Sequence, residues 1–309
     1  MMRSILFWLS ERQSIFNFVR RNRLARSMAS RFVAGETAEE AVNAALELQA
    51  RGITTTLDLL GESVTSFDEV DTATRTYLEI LDRQHAAGIE ANASLKLTQF
   101  GLDLDEARCE QHVRQIVARA ESLGGFIRLD MEGSDYTEQT LAFHRRLAVD
   151  HAASVGVVIQ SSLRRSTADI EALNASGTRV RLCKGAYLED DDVAFPDKKD
   201  VDAHYVRLMQ MLLTSQSYHG LATHDEVILA QAKQFVTERG ISRDHFEFQM
   251  LYGVRRDVQD ALVADGWRIR VYIPFGTHWY PYLMRRLAER PANIFFIVGN
   301  IFKEGKRRA

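Results

Sequence analysis

Close to its C-terminus the chain reads YLMRRLAERPAN, residues 282–293. On a helical pattern Arg285 and Arg286 lie about 100° apart around the axis, so their two guanidiniums can close on one small anion from two sides. Tyr282 stands three residues before Arg285 and four before Arg286, where one ring neighbours both. The competing reading is a solvated surface in which Arg285 pairs with Glu289 at i+4. Other charges sit inside short apolar runs: Lys96 in ASLKL, Asp130 in FIRLDME and Arg181 in RVRLCK. Unpaired charges inside a protein cost several kcal/mol each, so these groups must pair with one another or meet a polar ligand.

The elements that must position these residues repeat from residue 53 onward. Strand-like runs occur at 53–60, 91–97, 126–132, 156–160, 179–184, 221–224, 246–250 and 268–274, each followed by a longer stretch of helical composition. Short strands alternating with helices imply parallel strands with right-handed crossovers, and eight such units predict a (β/α)8 TIM-like barrel. Parallel strands buried on both faces normally read as unbroken apolar runs. Here the period is two: Ile127, Leu129 and Met131 alternate with Arg128, Asp130 and Glu132, and Ile269, Val271 and Ile273 with Arg268, Arg270 and Tyr272. Side chains alternate across a strand, so the apolar set faces the outer helices and the polar set faces the barrel interior. The same alternation turns Thr56, Asp58, Lys96, Gln160, Arg181, Glu247 and Gln249 inward. WYPYLMRRLAER begins five residues after Pro274, so it reads as the eighth helix, overhanging the C-terminal mouth where barrels bind ligands.

Composition bounds the partners. A net charge of −3 over 309 residues offers nucleic acid no general attraction. Two cysteines, Cys109 and Cys183, are too few for a disulfide scaffold or a cysteine-based zinc site and fit a reducing, cytoplasmic setting; no metal site is expected. Residues 1–31 carry seven arginines against the single acid Glu11, and SILFWLS is too short to span a bilayer. The expected organisation is an N-terminal helical arm over 1–45 and a catalytic barrel over 46–309. The arm either packs on the barrel or gives a foothold on a membrane surface, as a peripheral protein at the inner face of the cell membrane. No GxGxxG occurs, which argues against a nicotinamide enzyme of the Rossmann kind.

The stretches FEFQMLYGVRRDVQDAL, RIRVYIPFG and WYPYLMRRLAERPAN, with RLCKGAY, DMEGSDYT and LATHDE, resemble the proline dehydrogenase family from about residue 31 to Phe296. The resemblance implies a distorted (β/α)8 barrel that binds FAD. It implies oxidation of L-proline to Δ1-pyrroline-5-carboxylate by hydride transfer to the flavin, with electrons passed to a membrane quinone, ubiquinone or menaquinone. It also implies roles. Lys96, Arg285 and Arg286 match the residues that hold the proline carboxylate, Asp130 an active-site acid, Arg181 the cation beside the flavin's reactive nitrogen, and Tyr272 the wall over the substrate ring. Met131, Gln160, Lys184, Gly185, Ala186, Thr223 and His224 match FAD contacts. Ser162 departs from the pattern, standing where many relatives carry an aromatic residue.

Each assignment has a plainer rival. Asp130 can serve as a charge partner for Arg128 or Lys96, Gln160 as a strand cap, His224 as a satisfied interior histidine, and Lys184-Gly185 as an ordinary turn. Two other functions stay open on residue chemistry alone. One is a lyase or aldolase forming a Schiff base through Lys96 or Lys184, which requires a lysine with a depressed pKa; the other is a barrel that binds an amino acid without turnover.

Overall fold

A computed structural model of the chain describes residues 30–279 and Tyr282. Its eight strands are β1 (Thr54–Leu59), β2 (Asn92–Leu95), β3 (Phe126–Leu129), β4 (Val155–Gln160), β5 (Val180–Cys183), β6 (His219–Ala222), β7 (Phe246–Leu251) and β8 (Ile269–Phe275). They form a closed parallel barrel in chain order. Closure is made by β1 against β8, with Thr56 opposite Tyr272 and Asp58 opposite Pro274. The expected (β/α)8 TIM-like barrel is therefore present.

Among the described residues eight helices accompany the strands: α1 (Ala38–Gln49), α2 (Phe67–Ala86), α3 (Glu106–Ser122), α4 (Thr137–His151), α5 (Ser166–Ala175), α6 (Lys198–Leu213), α7 (Glu226–Arg239) and α8 (Arg256–Ala264); the helix expected after β8, apart from Trp279 and Tyr282, lies outside them. Local chemistry starts several of them. Thr37 with Glu40 and Ser66 with Glu69 form reciprocal capping boxes at α1 and α2, and Asp105 and Asp225 cap α3 and α7. Helix α1 packs against β1 and β8 through Ala41, Ala45 and Leu48. It runs through residue 45, where the arm was expected to give way to the barrel; residues 1–29 of that arm lie outside the described residues.

The main core lies between strands and helices. Leu57, Leu95, Ile127, Leu129, Val157, Ile159, Leu182, Phe248, Val271 and Ile273 on the outer strand faces are all buried there. Inside the barrel the polar set faces inward and is buried, Asp130 and Tyr272 partly so, with two corrections of placement. Arg268 precedes β8, is exposed, and pairs with Asp244 at 2.7 Å on the surface. Glu132 lies three residues past the end of β3, where strand alternation no longer applies. It accepts from the Thr98 amide at 3.2 Å and hydroxyl at 2.6 Å, fastening the 3₁₀ turn Leu97–Phe100 that follows β2.

In the lower half of the barrel Arg270 binds Glu247 at 2.7 Å and Glu90 at 2.8 Å. Among the described residues Arg128 has no ion-pair partner. It donates to the carbonyl of Arg179 at 2.7 Å and faces the Phe126 ring at 4.8 Å. Burial, then the neighbouring Arg181 and Arg179, hold its pKa well below the usual range. Among the described residues no helix is long and apolar enough to cross a membrane, and no cluster of His, Cys, Asp or Glu is arranged to hold a metal.

Candidate active site

A cavity of about 540 Å³ opens at the C-terminal end of the barrel. Lys96, Asp130, Met131, Gln160, Arg181, Lys184, Gly185, Ala186, Thr223, His224 and Tyr272 all line it. Arg285 and Arg286 lie outside the described residues, but Tyr282, from the same sequence stretch, is buried and lines the same cavity.

Asp130 follows directly on β3 and is held from two sides. Arg181 of β5 donates to its Oδ1 at 2.7 Å, and Tyr272 of β8 donates to its Oδ2 at 2.8 Å. Arg181, and not Arg128 or Lys96, is therefore its ion-pair partner. The Arg181 guanidinium also lies 5.3 Å from the centre of the Tyr272 ring. Burial, followed by the charges of Asp130 and Asp58, pushes the Tyr272 hydroxyl well above its ordinary pKa, so it remains a donor at neutral pH.

Lys96 and Asp58 form a second buried pair, 3.4 Å apart, on β1 and the end of β2. Burial disfavours the Lys96 charge, but Asp58 and Asp130 outweigh it and raise the pKa above that of a free lysine. Asp58 is also raised, by burial first and by Asp130, against the pull of Lys96. The direction of Lys96 is opposite to what a Schiff-base lysine needs.

At the rim, Lys184 pairs with Asp202 at 2.6 Å and with Asp225 at 2.8 Å, and Lys198 reaches the same two acids. Lys184 is thus held by two carboxylates. Gly185 has φ +104°, and a Cβ there would stand 2.3 Å from Ser162 Oγ and 2.9 Å from Gln160 Oε1. Only glycine allows this close approach. The small side chain at Ser162 lies under the same turn.

Gln160 donates to the Glu132 carbonyl at 2.8 Å, so part of its capacity goes to joining the ends of β3 and β4. His224 Nε2 accepts from the Leu251 amide at 3.0 Å; the interior bond expected of a satisfied histidine coexists with its place on the wall. Cys109 is packed away, its thiol pushed up to about 12 by burial and nearby acids, whereas Cys183 lines the cavity. Asp58, Tyr187, Lys198 and Asp225 also line it and were not singled out from sequence as site residues. Alternation had turned Asp58 inward; the others come from loops and helix starts, which carry no such periodicity.

The family model for proline dehydrogenase matches residues 41–297. The chain belongs to the proline dehydrogenase family. It is 44% identical over 281 residues to proline dehydrogenase from Deinococcus radiodurans, covering 90% of this chain and 91% of that one. It is 39% identical to proline dehydrogenase 1 of Bacillus subtilis, covering 98% of this chain and all of that one. The barrel is also similar to solved proline utilization A from Bdellovibrio bacteriovorus inactivated by N-propargylglycine, with TM-score 0.80 and 26% identity over 89% of this chain. The chain spans 34% of that larger protein. Membership of the proline dehydrogenase family makes this an oxidoreductase and replaces the lyase reading.

Proposed function

We propose that the chain oxidises L-proline to Δ1-pyrroline-5-carboxylate in the cavity at the barrel mouth, with FAD as hydride acceptor and ubiquinone or menaquinone as the final electron sink. The observation that carries this reading is the Asp130 carboxylate held between Arg181 and Tyr272 inside a cavity that also contains the buried cation Lys96. Lys96, Arg285 and Arg286 hold the substrate carboxylate, and the Tyr272 ring borders the five-membered ring.

The residues present fit a flavin. The glycine turn at Gly185 leaves backbone open where a side chain would collide, Gln160 and Thr223 offer polar groups, and Arg181 supplies a buried cation. Met131, Gln160, Arg181, Lys184, Gly185, Ala186, Thr223 and His224 are the residues that would hold it. Bound there, the flavin would supply a two-electron acceptor for a hydride from the ring methylene next to the nitrogen, the neighbour that does not bear the carboxylate. Loss of that hydride and of the nitrogen's proton leaves a C=N bond, so the nitrogen must be uncharged when the bond forms. Arg181 favours negative charge arriving on the acceptor, an electrostatic contribution that is large in a water-poor site. Asp130 and Tyr272 keep that guanidinium in place.

The arm over 1–45 and the barrel over 46–309 belong to the same proposal, with the basic arm bringing the barrel to the inner face of the cell membrane, where the quinone dissolves. The test is anaerobic. The purified full chain should show a flavin spectrum that L-proline bleaches, with a cyclic imine accumulating in equal amount. A chain that binds flavin yet is not reduced by L-proline would sink the proposal.

A further inference from the structure

Gln249 of β7 lines the same cavity and meets Arg181 at Nε, while Asp130 takes Nη1. Its side-chain oxygen accepts from Arg181 Nε, and its amide nitrogen donates to Glu247 Oε1 at 2.6 Å. The amide orientation is forced, because a guanidinium only donates and a carboxylate only accepts. Glu247 receives two further donors, Arg270 at 2.7 Å and the Tyr218 hydroxyl at 3.0 Å. Arg270 in turn reaches Glu90 at 2.8 Å. A continuous series of polar contacts therefore runs through the barrel from Glu90 to Tyr272, and Gln249 is its one uncharged bridge between two ionic halves.

Space for that bridge is built into the neighbouring strand. Gly220 pairs with Glu247 in register, and a Cβ on it would stand 2.4 Å from Gln249 Nε2. A side chain at 220 and a bridging amide at 249 cannot both be accommodated without movement.

We propose that Gln249 is a positioning residue for the reaction, fixing the Arg181 guanidinium while leaving its charge matched, among the described residues, by the one acid Asp130. The proposal rests on the proline dehydrogenase reading above. A carboxylate at 249 would also accept from Arg181, but it would add a second negative charge beside it and face Glu247 across the former hydrogen bond. An apolar side chain of similar length would leave Nε without a partner and free the guanidinium to turn. Glutamine anchors the cation without neutralising it.

Three variants test this: Gln249→Met, Gln249→Glu and Gly220→Ala, each as the full chain with flavin bound. The flavin midpoint potential, measured by dye equilibration without substrate, should fall in the order wild type, Gln249→Met, Gln249→Glu. The limiting rate of anaerobic reduction by L-proline should drop at least about tenfold in both Gln249 variants, while apparent Kd for proline changes less than about threefold. Gly220→Ala retains the amide but displaces it, and should lower potential and rate in the same direction by less; it carries the test if Gln249→Met does not fold. A wild-type potential and reduction rate in folded Gln249→Met, or in Gly220→Ala should that variant carry the test, would overturn the proposal. Because the potential needs no proline, a failure of the functional reading registers separately, as wild-type protein that proline does not reduce.

Discussion

Arg181 and Tyr272, from strands on different sides of the barrel, grip the two oxygens of one carboxylate while the guanidinium faces the phenol ring at 5.3 Å. Neither residue can shift without disturbing the other through Asp130. Positioning of this kind is cheap in a barrel, whose strands fix their side chains by register, and costly on mobile loops.

Asp130→Asn removes the negative charge but keeps the shape. Arg181 then loses a charge-assisted bond worth roughly 1.5 to 3 kcal/mol, and kcat/KM for L-proline should fall by about 10- to 100-fold. Steady-state kinetics with flavin content checked decides it; unchanged kcat/KM would show that the pair is structural only.

Tyr272→Ser opens space beside the substrate ring. The preference for L-proline over 4-hydroxy-L-proline should narrow by at least about tenfold in kcat/KM ratio, equivalent to ~1.4 kcal/mol. Tyr272→Phe keeps the wall and removes the bond to Asp130, so it should lower kcat while leaving the ratio close to wild type. A ratio unaltered in Tyr272→Ser assigns substrate size to another residue.

Gly185→Ala places a methyl group against Ser162 and Gln160 at a positive φ. The strain is of order 1 to 3 kcal/mol, and it falls on the turn that lines the cavity. The variant should melt several degrees lower and retain flavin poorly, read by differential scanning and by the ratio of visible to ultraviolet absorbance. Full flavin retention at wild-type Tm would exclude a tight turn here.

Acid should destabilise the barrel through two buried histidines. Burial, with Arg128 nearby, lowers His144 to about 4 and His219 to about 3. Both are neutral in the folded chain while the unfolded chain takes up a proton near pH 6.5, so stability is complete above that value and declines as pH falls towards the folded pKa. By pH 5 each costs about 2 kcal/mol. Urea unfolding at pH 7 and pH 5 should show this loss, and His144→Gln should make the dependence shallower. Equal pH dependence in wild type and His144→Gln would mean that His144 takes up its proton as readily in the fold as in the unfolded chain.

Much of this site was legible in the chain because a strand's alternation is local. Period two along FIRLDME, RVRLCK and RIRVYIP separated the residues under the helices from those inside the barrel, and the count of units implied closure. That logic holds only while the backbone stays extended. Strand β3 stops at Leu129, so Glu132 is free to turn away to Thr98, and β8 starts at Ile269, so Arg268 is left on the surface with Asp244. Strand β6 begins at His219, two residues before its apolar signal; its inward position is Gly220, whose missing side chain leaves room for Gln249 and gives the sequence no alternation to read.

Partnership was another matter. The sequence determined that Asp130, Arg181, Glu247, Gln249 and Arg270 face inward; only the closed barrel decided that Asp130 meets Arg181 and that Gln249 joins Arg181 to Glu247. The same holds for Lys184, which gathers Asp202 from α6 and Asp225 from the cap of α7. Facing is set by the geometry of one strand, whereas pairing depends on the stagger between strands and on which loops fold back over the mouth. Those relations join residues as far apart as Asp130 and Tyr272, 142 positions, or Glu90 and Arg270, 180 positions, and no local pattern encodes them.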